Sequence, residues 1–186
     1  MYVEDMRKLC FRPAQAGWKP LSYERYFSTP LGAAIRAREE EAVYGFLTNI
    51  MEPHHCILEV GCGTGNYTVS LAPRCAGMLA IDASPEMLLY LRRRLVREGL
   101  TNAETQLGRL PDRLETPQRF DGALAIGVLN YVEDLEKSLR SLTSSLKPGG
   151  WAVFNVPLLS VEGRIYALTE LANRRQINIL SPERIV

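Results

Sequence analysis

The stretch CILEVGCGTGN, residues 56–66, decides the fold of this chain. Its first five residues are apolar enough for a buried strand, and they pass directly into three glycines spaced GxGxG. Glycine is needed where the chain turns through conformations closed to a side chain, or where a ligand touches the backbone. We therefore expect a strand, a tight ligand-binding loop and the start of a helix.

Short apolar runs alternate with helical patterns on the C-terminal side of this loop. Further strands are predicted at 78–82, 103–107, 120–126 and 151–156, and helices at about 66–72, 85–98 and 133–146. This alternation predicts an α/β fold with a doubly wound, mostly parallel Rossmann-like sheet and helices on both faces. Ligands of such sheets bind at the carboxyl ends of the strands, so residues that follow a strand are the candidates for function.

The N-terminal side is predicted to be an irregular aromatic arm over residues 1–30, followed by an amphipathic helix from Leu31 to about Met51. The apolar stripe of this helix consists of Ile35, Val43, Phe46, Leu47 and Ile50. Its predicted solvated face consists of Arg36, Arg38, Glu39, Glu40 and Glu41.

Composition narrows the class of protein. The formal net charge is only +1, whereas nucleic-acid binders usually carry a marked basic excess. No signal peptide or membrane span is visible, so we expect a soluble, cytoplasmic protein without a membrane partner. The four cysteines (Cys10, Cys56, Cys62 and Cys75) form no CxxC pair, and we expect reduced thiols and no metal site.

The glycine spacing differs from the GxGxxG of dinucleotide-binding proteins, which favours a ligand without a pyrophosphate. The string ILEVGCGTGNYT, 57–68, resembles the first motif of the class I S-adenosylmethionine-dependent methyltransferases. Phe120-Asp121 before the fourth strand and LKPGG at 146–150 are further landmarks of that family. The resemblance covers roughly residues 31–157.

The resemblance implies methyl transfer from S-adenosyl-L-methionine to a small-molecule acceptor, with S-adenosyl-L-homocysteine as product. Asp82 would accept hydrogen bonds from both ribose hydroxyls, Ala83 would lie near the adenine, and Gly127 would let the backbone approach the methionine part. The full set of expected cofactor-binding residues is Glu59, Gly61, Cys62, Gly63, Thr64, Gly65, Asp82, Ala83, Met87, Gly108 and Gly127.

One position departs from the family pattern. After the third strand the family often has Gly-Asp, whose carboxylate reaches the adenine amino group, but this chain has Gly108-Arg109. Arginine has no hydrogen-bond acceptor, so backbone atoms or another residue must recognise the adenine.

Methyl transfer needs an oriented nucleophile, and a general base only when the acceptor is protonated, so neither a triad nor a metal is required. Asn130 and Tyr131 follow the fourth strand and are candidates to face the acceptor, although they could equally pack within the loop. His54 and His55 precede the first strand and should lie at the opposite end of the sheet. The Asn/Asp-Pro-Pro-Tyr signature is absent, which disfavours bases and amides as acceptors.

Two other functions compete with a methyltransferase. A non-catalytic protein could keep the cofactor site and lack the acceptor pocket, and a nicotinamide-dependent oxidoreductase would use a similar sheet. The basic cluster of Arg92, Arg93, Arg94 and Arg97 is more typical of a solvated helix face than of a nucleic-acid contact.

The domain organisation follows from these elements. We expect an N-terminal arm or lid at 1–30, the S-adenosylmethionine-binding methyltransferase domain at 31–160, and a helical segment at 161–186. The family's sheet usually has seven strands, and residues 161–175 resemble a helix, leaving one short strand, 177–180, at most. We therefore expect a truncated form of a longer protein, or a partner chain, such as the second copy in a homodimer, that covers the sheet edge.

Overall fold

The structure is a computed structural model, which describes residues 18–156 except 113, 115, 117 and 118. Its helices are α1 (Pro20–Phe27), α2 (Pro30–Ile50), α3 (Asn66–Leu71), α4 (Pro85–Arg97) and α5 (Leu135–Ser144). Its strands are β1 (Cys56–Val60), β2 (Gly77–Asp82), β3 (Ala103–Leu107), β4 (Phe120–Ala125) and β5 (Leu146–Phe154). Short 3-10 turns occupy Ala72–Arg74 and Leu129–Tyr131.

These strands form one sheet in the order β3-β2-β1-β4-β5, and every pairing between them is parallel. The chain runs outward from β1 through β2 to β3, and then crosses back to place β4 on the other side of β1. The order therefore reverses between β1 and β4, and the carboxyl ends of these strands are where such sheets have their ligand crevice.

Alternate side chains of the strands pack on opposite faces of the sheet. Leu58 and Val60 lie in the cluster that includes Leu142 of α5, whereas Ile57 lies with Leu47 of α2 on the other face. The residues of β1 from Ile57 to Val60 are all buried, as expected for a central parallel strand covered on both sides. The predicted fold class, with helices on both faces, is confirmed.

Capping residues set the helix starts. The Ser84 side chain accepts the Met87 backbone N–H at 3.3 Å, and α4 closes at Gly99, whose φ is +67°. The predicted helix at 133–146 and the predicted strand at 151–156 differ from the observed α5 and β5 where the two elements meet. Helix α5 starts later because Asp134 caps it, accepting the Lys137 N–H at 2.9 Å, and Leu146 already pairs with Phe120 as part of β5.

Two predictions for the N-terminal side were wrong. Residues 20–27 form a helix, α1, instead of an irregular arm. In α2, Phe46 of the predicted apolar stripe is 66% exposed, whereas Glu39 and Glu40 of the predicted solvated face are turned inward and half-buried. The reason is that α2 packs Val43 and Leu47 onto the sheet, which directs these two carboxylates towards α3 and β5.

Within the described residues, no helix combines the length and the apolar character that a bilayer crossing requires. The predictions for residues 1–17, for Cys10 and for the segment from 157 to 186 lie outside the described residues, and so do the predicted C-terminal helix, short strand and exposed edge.

Candidate cofactor site

The outer two glycines of the loop are needed for close packing. The Gly61 backbone N–H donates to the Ile81 carbonyl at 2.7 Å, and a Cβ on Gly61 would lie 2.7 Å from the Cβ of Val128. A Cβ on Gly65 would lie 2.1 Å from Cδ1 of Leu91 in α4. These contacts hold the loop against β2, the residues after β4, and α4.

The middle glycine is different. Gly63 has a φ of +53°, and a Cβ built on it would meet no atom within 4 Å. The space into which a Cβ of Gly63 would project is therefore open. The corresponding space at Gly61 and at Gly65 is filled by other side chains. This is the geometry of a cradle, which a side chain would fill and which a ligand can occupy.

The Asp82 carboxylate lies at the edge of this cradle. Its Oδ2 accepts the Gly63 N–H at 2.8 Å, and its Oδ1 accepts the Ser84 N–H at 2.8 Å. Burial raises the pKa of Asp82 above its usual range, although backbone hydrogen bonds from Ser84, Gly63 and Ala83 oppose that shift. Since a carboxylate has about four acceptor positions, Asp82 can still accept hydroxyl groups from a ligand.

Glu59 lies beneath the loop, in the interior. It is 4% exposed, and its Oε2 accepts the Thr68 hydroxyl of α3 at 2.5 Å. Burial, together with the nearby charge of Asp82, raises the pKa of Glu59 to about 8, although hydrogen bonds from Thr68 oppose the shift. Cys62 and Met87 are also buried, and both lie close to α4 or within it.

Two helices that precede β1 also contact the loop. Glu24 of α1 accepts the Thr64 hydroxyl at 2.5 Å, and Glu40 of α2 accepts the Asn66 side-chain amide at 2.6 Å. Sequence reasoning missed both contacts. No local pattern marks Glu24, and the helical periodicity had placed Glu40 in solvent.

The side chain of Arg36, in α2, lies against two aromatic rings of α1. Its guanidinium carbon is 4.1 Å from the Phe27 ring centroid and 5.6 Å from the Tyr23 ring centroid. Its Nη2 atom is buried and has no hydrogen-bond partner among the described residues. An unsatisfied buried donor on a charged group is costly, by roughly 1–3 kcal/mol or more, and an anionic ligand group would relieve that cost.

A chain of polar contacts joins the carboxyl ends of β4 and β5 to α2. The Gly127 N–H donates to Asn155 Oδ1 at 2.6 Å, and Asn155 Nδ2 donates to Glu39 Oε2 at 2.8 Å. The other oxygen of Glu39 accepts the Tyr67 hydroxyl at 3.2 Å, and burial raises the pKa of Glu39. Asn155 was missed although it directly follows β5, which is the position where functional residues are expected.

A cavity of about 410 Å³ opens beside Asp82, between the ends of β2 and β3. Its lining residues are Ala83, Gln106, Leu107, Gly108, Arg109, Asp112 and Leu114. It therefore contains Ala83, which is expected to lie near the adenine, and Gly108, another of the expected cofactor-binding residues.

Comparison with known proteins places these features in a family. Residues 57–150, half of the chain, match the family model described as a methyltransferase domain. The chain belongs to the S-adenosylmethionine-dependent methyltransferase family. The predicted family is confirmed by this match, and with it the family's cofactor, S-adenosylmethionine.

One relative and two solved structures illustrate the likeness of this methyltransferase-family chain. It is 28% identical over 112 residues to the ubiquinone biosynthesis O-methyltransferase of Paraburkholderia phymatum, covering 60% of this chain and 48% of that protein. YcgJ of Bacillus subtilis has a TM-score of 0.68 at 18% identity, covering 78% and 64% of the two chains. The N-methyltransferase NodS of Bradyrhizobium japonicum, solved with S-adenosyl-L-homocysteine, has a TM-score of 0.57 at 24% identity, covering 73% and 71%.

Both structural likenesses confirm the fold. The chain spans about half the length, or less, of the first curated relatives that it matches.

The described residues of this methyltransferase-family chain suit the cofactor. The open space over Gly63 lies beside a carboxylate suited to ribose hydroxyls, and Arg36 of α2 has a buried donor with no partner among the described residues. By contrast, Gly61 and Gly65 make the tight packing contacts that shape the loop.

The two acceptor-side candidates differ in exposure. Asn130 is 3% exposed, so its side chain can meet an acceptor only if its neighbours move, whereas Tyr131 is half-buried. Both lie in the 3-10 turn that follows β4 and Gly127.

The histidines occupy the other end of the sheet. His54 is exposed and His55 half-buried, in the turn that leads into the amino end of β1. At this end Asp121 accepts the Cys56 N–H at 2.8 Å and pairs with Lys147 at 2.8 Å, so the family landmark Phe120-Asp121 fastens neighbouring strands.

The arginine cluster is not wholly a solvated face. Arg94 is half-buried and donates to the Thr64 carbonyl at 3.5 Å, behind the glycine loop. Arg92 donates to Thr105 at 2.6 Å, and Arg97 pairs with Glu98 at 3.0 Å.

Proposed function

We propose that this chain transfers the methyl group of S-adenosylmethionine to a small-molecule acceptor held at the carboxyl ends of β1 and β4. The observation that carries the proposal is the open left-handed cradle at Gly63, which follows β1 at the switch point of the sheet and donates its N–H to the Asp82 carboxylate at the end of β2. The relative named as a ubiquinone biosynthesis O-methyltransferase supports a small molecule as the acceptor.

The proposed roles follow from the chemistry of each group. Asp82 accepts the ribose hydroxyls, the backbone at Gly63 approaches the cofactor, and Arg36 pairs with its methionine carboxylate. The bound cofactor supplies an electrophilic methyl group on a sulfonium. The protein then contributes mainly by holding the acceptor in line and excluding water, and orientation of this kind can account for much of a rate enhancement.

Carboxylates surround the proposed site. Glu24 and Glu40 contact the glycine loop, and Glu39 reaches the ends of β4 and β5 through Asn155. Their negative charge suits a sulfonium cofactor and disfavours acceptors that carry a negative charge elsewhere in the molecule. Neutral phenols, alcohols and amines are therefore the first acceptors to test.

The experiment is an assay of the full chain with S-adenosylmethionine and a panel of phenols, catechols and primary and secondary amines. We expect formation of S-adenosylhomocysteine that depends on at least one acceptor and that is lost in the Gly63→Ala variant. Saturable cofactor binding without turnover on any acceptor would favour the non-catalytic alternative.

A further inference from the structure

The cavity between the ends of β2 and β3 is placed for the base of the cofactor. It begins at Ala83, the residue after Asp82, so a nucleoside whose ribose is held by Asp82 directs its base there. An adenine amino group is a hydrogen-bond donor, and it needs an acceptor when it is removed from water. The polar side chains that line the cavity are Gln106, Arg109 and Asp112. Arg109 has no acceptor, and of the two that have one, Asp112 alone can offer a charged acceptor.

The structure holds the backbone of Asp112 in place. Leu110 and Leu114, on either side of it, are both buried in the main core cluster. The Asp112 carbonyl accepts the Ser141 hydroxyl of α5 at 2.7 Å. Because the backbone is held at these points, the exposed side chain of Asp112 lines the cavity.

Arg109 orients that carboxylate. Its Nε donates to Asp112 Oδ2 at 3.2 Å, and both side chains are largely exposed. An exposed ion pair adds little stability, so the consequence of this one is geometric. Oδ1 has no partner among the described residues and can accept a hydrogen bond from a ligand.

We propose that Asp112 recognises the adenine amino group of the cofactor and that Arg109 acts as the positioning residue for its carboxylate. This inference rests on the proposed cofactor site. It assigns base recognition to a side chain three residues beyond Arg109, the position where sequence reasoning found an unsuitable residue. It also predicts selectivity, because the carbonyl oxygen of hypoxanthine would face a carboxylate oxygen.

The test is calorimetric titration of the full chain with S-adenosylhomocysteine and with S-inosylhomocysteine, in which a carbonyl replaces the amino group. We expect the wild type to bind the adenosyl ligand at least about tenfold more tightly, as a hydrogen bond to a charged group implies. In Asp112→Ala the two affinities should agree within about threefold, because adenosyl binding weakens. In Asp112→Asn they should also converge, because the amide can donate to the hypoxanthine oxygen.

Two further variants separate the possible outcomes. Arg109→Ala should reduce the selectivity partly, whereas Asp82→Ala should weaken both ligands and preserve their ratio. Wild-type selectivity retained in Asp112→Ala would overturn the inference and assign base recognition to backbone atoms. A wild type that binds neither ligand would overturn the cofactor site itself.

Discussion

The backbone N–H of Gly63 donates to Oδ2 of Asp82 across 2.8 Å. This hydrogen bond joins the middle of the glycine loop to the end of β2, so the cradle and the carboxylate lie side by side. A ligand that contacts Asp82 therefore also lies against Gly63. Each of these two residues provides a test of the site.

Removal of the Asp82 carboxylate should weaken cofactor binding. Asp82→Ala loses the acceptor for the ribose hydroxyls and the hydrogen bond that fixes Gly63. We expect S-adenosylhomocysteine to bind more weakly by about 1.5–3 kcal/mol or more, the range for hydrogen bonds to a charged group. Calorimetric titration measures the change.

Asp121→Ala is the matched control. Asp121 also accepts a backbone N–H, from Cys56 at 2.8 Å, but it lies at the amino end of the sheet. This variant should lose stability and keep its affinity for the ligand. Equal affinities in wild type and Asp82→Ala would show that Asp82 is only a turn residue.

Glu59 should make stability depend on pH. Its pKa is raised from 4.5 to about 8 by burial, so between these values the unfolded chain is ionised at this position while the folded chain keeps the proton. The free energy of unfolding should therefore fall as pH rises through this range, by up to about 1.4 kcal/mol per pH unit. Below about pH 4.5 the contribution is fully present.

Glu59→Gln should remove this dependence, because the amide keeps an acceptor for Thr68 and cannot ionise. Urea unfolding near pH 5 and pH 8 provides the comparison. We expect the variant to gain stability relative to wild type at the higher pH, by more than about 1 kcal/mol. The raised pKa of neighbouring Asp82 acts in the same direction in both proteins, so only the difference is assigned to Glu59. Parallel profiles would contradict the assignment.

Removal of the Arg36 guanidinium should weaken the binding of only those ligands that carry the amino-acid carboxylate of the cofactor. Arg36→Met keeps an apolar stem against Phe27 and removes the guanidinium, so we expect weaker binding of S-adenosylhomocysteine by about tenfold. Binding of 5′-methylthioadenosine, which lacks the carboxylate, should not change. If both ligands lose affinity equally, Arg36 supports the fold of α1 and α2 and does not contact the carboxylate.

The histidines should be dispensable for catalysis. His54 and His55 lie before β1, at the end of the sheet away from the crevice. The double variant His54→Ala/His55→Ala should keep its methyl-transfer rate within about threefold, a change of less than about 0.7 kcal/mol in the activation barrier. A hundredfold loss would place the reaction at the opposite end of the sheet.

Much of the fold could be predicted from the sequence because the central strands are strongly patterned. Strand β1 is a short apolar run that ends at glycine, and its predicted bounds, 56–60, are those observed. Helix α4 has a capping Ser84, a proline at its first position and Gly99 after its end. These signals lie within short stretches of sequence, so they can be identified without knowledge of tertiary contacts.

The parts that depend on tertiary contacts could not be predicted. Helix α1 has few helical signals of its own. Its contacts with the rest of the fold include Arg36, which lies over the Phe27 ring, and Thr64, whose hydroxyl donates to Glu24. The helical periodicity places Glu40 on the solvated face of α2. It nevertheless accepts a hydrogen bond from Asn66, because α2 lies against α3. Asp112 gave no signal in the sequence, because only the cavity shows that it lies near Ala83.

The most direct test of the central claim compares two glycines with the same backbone strain. Gly63 and Gly99 have φ values of +53° and +67°, and a Cβ on either meets no atom within 4 Å. Alanine at either site should therefore cost similar stability, about 1–2 kcal/mol. Calorimetric titration with S-adenosylhomocysteine should give one site in wild type, unchanged affinity in Gly99→Ala and at least tenfold weaker binding in Gly63→Ala. Equal affinity in the two variants would contradict a cofactor site at the glycine loop.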